Sequence, residues 1–263
     1  MSTLAKAVVL AVLTLSVFFS LLYFRFPNLT SLQYFNPRRT ALMIERGVTV
    51  DQAWVPFSQI SPYLKRAVVE AEDGNFYRHN GIDLNEFRAS LRKNIKKRKF
   101  ARGFSTITMQ LAKNLYLAPE KTVTRKLLEI AIALRMEKSL SKDRILELYL
   151  NLVEWGNGIY GAEAASRHYF KKSAARLSPS EAAFLAGILP NPRKWGRWPP
   201  GSFVARRQQA ILARMGIGRP EKKEETVELP ELPDEEETAG ETTGGSQPFE
   251  TAPERTEPVP ADL

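Results

Sequence analysis

The chain opens with its longest apolar stretch. Residues 7–24 are 18 consecutive uncharged residues, mostly Ala, Val, Leu and Phe. At about 1.5 Å per residue, a helix of this length nearly spans the hydrocarbon core of a bilayer. The stretch is long for a signal peptide, and it ends at Tyr23, Phe24 and Arg25 without a small-x-small cleavage site. It predicts a single transmembrane helix, with a cleaved signal peptide as the alternative, and the flanking charges do not settle its orientation.

A helical pattern occupies most of the remaining chain. Within residues 25–60, interpreted as a juxtamembrane linker, the alternation over residues 47–55 predicts a short strand or an extended segment. From Pro62 to about Met215, apolar residues recur at helical spacing. Examples are Leu64, Val68 and Ala71, followed by Val123, Leu127, Ile130 and Leu134. The predicted fold class is therefore mostly α.

Several helix boundaries can be predicted from capping residues. Ser178, a proline and Glu181 form an N-cap, a first-turn proline and a capping-box glutamate directly before an apolar run. Asn191, followed by proline, is expected to close that helix. Ser141 is a predicted N-cap for a helix that ends near Gly156.

After Gly218 the chain is rich in Glu, Pro, Thr and Gly and has hardly any large apolar residues. Such a segment cannot bury enough surface to offset its ordering entropy, so it is predicted to be disordered. The predicted organisation is a short N-terminal segment (1–6), a transmembrane anchor (7–24), a juxtamembrane linker (25–60), a helical domain (61–218) and an acidic tail (219–263).

Charge is distributed unevenly along the chain. The formal net charge is +9, yet residues 221–263 hold 14 acidic and only 3 basic side chains, so the preceding part is strongly basic. A basic body should be attracted to polyanions, which include nucleic acid, anionic lipid and phosphorylated substrates. There is no cysteine, which excludes disulfides, thiolate catalysis and Cys-ligated zinc.

The first cluster that could carry chemistry follows the helix bearing Val68 and Ala71. Glu72 lies one turn beyond Val68, so its carboxylate leaves the helix beside an apolar stripe. Partial desolvation there would raise the pKa of this group toward a value useful in proton transfer. From these residues alone, a surface carboxylate at a helix end is an equally good interpretation. His79 is interpreted as a hydrogen-bonded structural histidine, and a metal site is not expected because His168 is distant in sequence.

Two further clusters follow. Residues 103–114 place hydroxyls, an amide and an ammonium after a glycine turn, where donors could converge on a phosphate or a sugar. Glu129 stands four residues after Arg125 and three after Lys126 on one predicted helix. In isolation these three residues predict a surface ion-pair set worth a few tenths of a kcal/mol. The functional alternative is a second carboxylate held ionised beside a pyrophosphate.

Taken in order, these clusters resemble the five motifs of the peptidoglycan glycosyltransferases, glycosyltransferase family 51. The motifs are Glu-Asp-x-x-Phe-x-x-His-x-Gly, Gly-x-Ser-Thr-Ile-Thr-x-Gln-x-x-Lys-Asn, Arg-Lys-x-x-Glu, Ile-Leu-Glu-x-Tyr-Leu-Asn with two later glycines, and Ala-Ala-x-x-x-Tyr-Phe. They cover roughly residues 60–195. No transpeptidase domain follows, so the resemblance is to the monofunctional type.

The resemblance implies a lysozyme-like helical domain with two lobes flanking a groove, and it implies roles for two carboxylates. Glu72 would be the general base for the 4-hydroxyl of the acceptor sugar, which attacks the donor of lipid II, forms a β-1,4 bond and releases undecaprenyl pyrophosphate. Glu129 would be the second acidic residue, near the donor pyrophosphate. The other positions that match motif residues, expected to bind substrate or support Glu72, are Asp73, Phe76, His79, Ser105, Thr106, Gln110, Lys113, Asn114, Lys121, Arg125 and Lys126.

Three positions depart from the usual motifs. Phe104 replaces a small residue, Met109 stands where a glutamine is common, and Lys121 stands where an arginine is frequent. Lysine lacks the bidentate fork of arginine, so substrate affinity could differ. None of the three removes a carboxylate.

The resemblance also implies the setting of the enzyme. The expected partners are lipid II, the growing glycan strand and the membrane, with cell-wall synthesis or division proteins as candidates and nucleic acid not expected. The catalytic domain would lie on the outer face of the cytoplasmic membrane. No cofactor is certain, and a divalent cation (Mg or Mn) at the pyrophosphate is a candidate. The alternatives are a lysozyme-like hydrolase and a non-catalytic basic scaffold on a membrane.

Overall fold

The computed structural model describes residues 9, 12–14, 29–97, 105–117, 120, 122–218 and 229–230. Its α-helices are α1 (Ala41–Arg46), α2 (Pro62–Glu72), α3 (Leu84–Lys97), α4 (Ile107–Tyr116), α5 (Val123–Ser139), α6 (Lys142–Leu152), α7 (Ala162–Phe170), α8 (Pro179–Ile188), α9 (Pro192–Trp195) and α10 (Ser202–Arg214). Short 3₁₀ turns cover Thr30–Gln33, Phe57–Gln59, Phe76–Arg78 and Ala174–Arg176. The prediction of a mostly α domain is confirmed.

The N-caps predicted from the sequence are present at the start of α8 and α6. Ser178 and Glu181 form the reciprocal capping box at the start of α8, and the Ser141 hydroxyl accepts a hydrogen bond from a backbone N–H of α6. The end of α8 differs slightly from the prediction. That helix stops at Ile188, and Asn191 caps the short helix α9, because a proline at the first helical position is better suited to starting a helix than to ending one.

Helix α8 organises the core. Residues 182–188 of α8 are all buried, and the helix packs between α2 and α10. A helix that is apolar all round must be covered on every side, which explains why α8 lacks a polar face. Helix α4 packs against α5 and α6 in the same way, with Met109 and Leu111 fully buried. These contacts fix α2, α4 and α5, the helices that carry Glu72, Gln110 and Glu129.

The predicted juxtamembrane linker is more structured than expected. It contains α1 and a two-residue strand β1 (Asp51–Gln52), which pairs in parallel with β3 (Ile159–Tyr160); β3 pairs antiparallel with β2 (Glu154–Gly156). The strand is short because the Asn151 side chain takes both backbone hydrogen bonds of Val55 instead of a neighbouring strand. The predicted strand therefore exists over two residues, and at Val55 a side chain takes the backbone hydrogen bonds that a neighbouring strand would make.

The two terminal predictions fall mainly outside the described residues. Of the predicted anchor only residues 9 and 12–14 are described, and of the predicted tail only residues 229–230. In the part of the chain that the structure describes, no helix combines the length and the apolarity needed to cross a membrane.

Candidate active site

Glu72 is the last residue of α2 and lies half-buried at a cleft of about 270 Å³. As the sequence predicts, it follows a buried apolar stripe that includes Val68 and Ala71. Its Oε2 atom accepts a hydrogen bond of 2.8 Å from Nε2 of Gln110 on α4. The carboxylate is thus held in one orientation at the edge of the cleft by a neutral donor.

Asp73 and His79 form a structural network directly behind Glu72. Oδ1 of Asp73 lies 2.8 Å from Nε2 of His79, and Oδ2 accepts from the backbone N–H of Ile107 at 3.0 Å. Nδ1 of His79 accepts from the backbone N–H of Gly81, so the ring proton resides on Nε2 and is donated to Asp73. His79 is hydrogen-bonded within the fold, as predicted, and Asp73 joins the end of α2 to the start of α4.

Phe76 and Thr106 stabilise the same region from inside. Phe76 is fully buried, with the ammonium of Lys142 4.4 Å from its ring centroid. The Thr106 hydroxyl donates to the carbonyl of Gly81 at 2.7 Å and caps α4 by accepting from the N–H of Met109. Both side chains therefore shape the cleft through internal contacts.

One face of α4 carries residues that interact with both Glu72 and the second carboxylate, Glu129. Thr106, Gln110 and Lys113 are spaced four and three residues apart, so they lie on one side of the helix. Burial lowers the pKa of Lys113, and the charges of Arg125 and Lys126 lower it further, while those of Glu129 and Glu72 oppose the shift. The ammonium therefore lies within electrostatic reach of both carboxylates.

Glu129 occupies a very different environment from Glu72. Only 1% of this residue is exposed, and its two oxygens each accept a hydrogen bond of 2.6 Å, one from Arg125 Nη1 and one from Lys126 Nζ. The same Lys126 ammonium donates to the hydroxyl of Ser105 at 2.7 Å. The prediction of a solvated surface ion-pair set is wrong, because the packing of α5 against α4 buries the carboxylate.

Comparison with known proteins identifies the family. The family model described as transglycosylase matches residues 40–216. The biosynthetic peptidoglycan transglycosylase of Alcanivorax borkumensis is 48% identical over 206 residues, which cover 77% of this chain and 83% of that protein. The proteins of the same name from Dechloromonas aromatica (51% identity over 62% of this chain and 71% of that one) and Nitrosospira multiformis (42% over 76% and 91%) are similar. The chain belongs to the transglycosylase family.

The remaining motif positions of this transglycosylase differ in their distance from the cleft and in burial. Asn114 is buried in α4, and Met109 is fully buried in the core, so the Met109 departure from the motif does not line the cleft. Phe104 and Lys121 lie outside the described residues. The other predicted positions form two groups joined by α4, one around Glu72 and one around Glu129.

The sequence prediction omitted one residue of this site. Tyr149 on α6 is fully buried and donates its hydroxyl proton to Oε1 of Gln110 at 2.9 Å. It stands in the Ile-Leu-Glu-x-Tyr-Leu-Asn motif, but an apolar helical pattern gives no sign that one aromatic ring reaches a site residue 39 positions away. The motif glycine Gly161, in contrast, can be explained from its backbone. Its φ is +84°, and a Cβ at this position would lie only 2.7 Å from the carbonyl oxygen of Asn151, so the position requires glycine.

Proposed function

We propose that this transglycosylase polymerises lipid II into β-1,4-linked glycan strands, with Glu72 as general base and undecaprenyl pyrophosphate as leaving group. Membership of the transglycosylase family makes the chain a peptidoglycan glycosyltransferase. The observation that supports the catalytic assignment is the position of Glu72, a half-buried carboxylate at the cleft whose Oε2 atom accepts a hydrogen bond from the Gln110 amide.

Glu72 would remove the proton from the 4-hydroxyl of the acceptor sugar. The hydroxyl oxygen then forms a bond to C1 of the donor sugar with inversion, and the bond from C1 to the pyrophosphate oxygen breaks with its electron pair on that oxygen. A base needs an ionised carboxylate in a fixed position. The hydrogen bond from Gln110 favours the ionised form and fixes one carboxylate oxygen.

The charge that develops on the leaving pyrophosphate would be offset by protein cations. Lys113, Arg125 and Lys126 approach one another around Glu129, and a buried carboxylate that accepts from two cations keeps them aligned. Glu129 would therefore act by positioning these cations and not by proton transfer.

The residues around Glu129 do not fit a protein-held divalent cation. Both oxygens of Glu129 already accept from cationic side chains. Within the described ranges, no three His, Cys, Asp or Glu residues are grouped as metal ligands. Phosphate oxygens of the substrate would have to supply the ligands of any Mg²⁺ or Mn²⁺, so no step of the proposed reaction is assigned to one.

The proposed cellular setting of the enzyme is the cytoplasmic membrane. Enzymes of peptidoglycan synthesis act at the cell envelope. We assign the predicted helix over residues 7–24 as a single-pass anchor in the cytoplasmic membrane, with a lysozyme-like two-lobed catalytic domain on its outer face. The anchor would place the cleft near its lipid-linked substrate, and cell-wall synthesis or division proteins are the expected protein partners.

The deciding experiment incubates the purified full chain with lipid II and separates the products by size. Glycan polymer is expected from the wild type and none from Glu72→Gln. Breakdown of finished glycan without polymerisation would establish a hydrolase instead. Polymerisation by Glu72→Gln at the wild-type rate would refute the assignment of the base.

A further inference from the structure

The Glu72 carboxylate is connected to a residue outside the cleft. Gln110 donates from Nε2 to Oε2 of Glu72 at 2.8 Å, and its other amide atom, Oε1, accepts from the Tyr149 hydroxyl at 2.9 Å. An amide side chain can be turned by 180° about its last bond at little cost in shape. The orientation of Gln110 therefore depends on its two partners.

The chemistry of the partners allows one direction only. An ionised carboxylate is purely an acceptor, so Gln110 must present its NH₂ group to Glu72 and its carbonyl oxygen to Tyr149. A phenol can donate or accept, and here it must donate. We infer that Tyr149 is a positioning residue for the transfer reaction: its buried hydroxyl locks the Gln110 amide so that it donates to the catalytic base Glu72.

The surroundings of Tyr149 keep its proton in place. The residue is fully buried on α6, and burial raises its pKa well above the usual value of 10, with the negative charges of Glu72 and Asp73 raising it further. The phenol therefore keeps its proton, and can donate it, at every pH below the usual tyrosine pKa. The rigid packing of α6 against α4 keeps the donor in reach of the amide.

Without the hydroxyl, Gln110 is free to turn its carbonyl oxygen toward Glu72 whenever Glu72 is protonated, and the carboxyl proton can then be donated to that oxygen. A hydrogen bond to the neutral form disfavours the ionised form, so the base would be protonated at higher pH than in the wild type. Other charged groups act on Glu72 as well, but Tyr149→Phe leaves them unchanged. They include Lys113 on α4, and the charged residues that line the cleft together with Glu72 are Glu70, Asp73, Asp83, Glu86 and Arg214.

This inference rests on the proposed role of Glu72. The main test compares Tyr149→Phe with the wild type in lipid II polymerisation across pH. Loss of one hydrogen bond next to a charge predicts a fall in kcat of about tenfold with KM within about twofold. The acidic limb of the kcat profile should move to higher pH by about one unit.

Two other tyrosines provide matched controls. Tyr160 is buried, and its hydroxyl has no hydrogen-bond partner among the described residues, whereas the Tyr169 hydroxyl donates to the carbonyl of Trp155 at 2.8 Å. Tyr160→Phe and Tyr169→Phe remove the same atom without touching Gln110. Both should keep the wild-type acidic limb. A Tyr149→Phe profile with that unshifted limb, or an equal shift in either control, would overturn the inference.

A second measurement does not require the Tyr149 variant to fold. With ¹³C-labelled tyrosine, the ring Cζ signal of Tyr149 in the full chain should follow the protonation of Glu72. That titration should vanish in Glu72→Gln and in Gln110→Met, and its persistence in both would contradict the proposed link. The proposed function fails separately, if the wild type does not polymerise lipid II or if Glu72→Gln does.

Discussion

The two carboxylates of the site, Glu72 and Glu129, have the same side chain in opposite environments. Glu72 ends a helix at the cleft, is half-buried and accepts from a neutral amide. Glu129 is buried inside α5 and accepts from two cations. Both oxygens of Glu129 are engaged by cationic side chains, whereas Glu72 lies at the open cleft with a neutral amide on one oxygen. This difference in partners fits the roles proposed above, a base for Glu72 and an electrostatic support for Glu129.

The same contrast predicts that Glu72 matters mainly for the reaction rate, whereas Glu129 also matters for the stability of the fold. Removing the charge of Glu72 affects a hydrogen bond from the neutral Gln110 and an attraction to Lys113 that is weaker than the attraction between Lys113 and Glu129. Removing that of Glu129 leaves Arg125 and Lys126 crowded around a neutral group. Substitutions at the two positions should consequently differ in what they damage, and the predictions below test that difference.

The largest effect is expected from Glu72→Gln. Loss of the base should reduce kcat by about 10³-fold, while the free energy of unfolding changes by less than about 1 kcal/mol. Polymerisation rates and thermal melts of the two proteins measure both quantities. Glu45→Gln removes the same charge from an exposed position on α1 and should leave both unchanged. If Glu72→Gln were destabilised by several kcal/mol, the proposed difference between Glu72 and Glu129 would be contradicted.

Glu129→Gln should damage both stability and activity. Removing one partner from a buried ion set leaves uncompensated charge, but Arg125 and Lys126 keep some exposure, so we expect a loss of about 2–4 kcal/mol in unfolding free energy. Misplaced cations should also lower kcat by about 10²-fold. Denaturant titration and the polymerisation assay check these values. A fully stable Glu129→Gln protein with normal activity would show that the cations are positioned by other contacts.

How well the sequence predicts this site depends on how far apart in sequence the contacting residues lie. Local signals succeed: Ser178 and Glu181 form the predicted capping box, and Glu72 follows the predicted apolar stripe. The burial of Glu129 could not be read from its own helix, because an i, i+4 ion pair looks the same on an exposed and on a covered face. Which face is covered is decided by α4, a separate segment.

The same limit applies to the small sheet and to Tyr149. The pairing of β1 with β3 joins residues more than 100 positions apart, and the Asn151 side chain that replaces the ladder at Val55 has no local signature. Motif resemblance located Glu72 and Gln110, but only the structure shows that a hydroxyl on α6 connects to them.

A smaller effect is expected from Asp73→Asn, which probes the support behind Glu72. Asp73 accepts from two donors, His79 Nε2–H and the N–H of Ile107, and asparagine has one acceptor oxygen for both. One buried donor is left unpaired at a cost of about 1–3 kcal/mol, and kcat should fall about tenfold as α4 shifts. Asp51→Asn, on an exposed strand residue, is the control. Unchanged stability would mean that the network does not hold α4.

The smallest effect concerns Lys113 at alkaline pH. Burial lowers its pKa from the ordinary 10.5, so the ammonium loses its proton earlier than an exposed lysine does. In the window between the lowered value and 10.5 the unfolded chain binds more protons, so stability should rise with pH while affinity for the pyrophosphate substrate falls. Lys113→Arg stays charged and should extend the alkaline limb of kcat/KM upward, whereas Lys172→Arg, paired with Glu181 away from the cleft, should not. An identical alkaline limb in wild type and Lys113→Arg would show that another group controls substrate binding there.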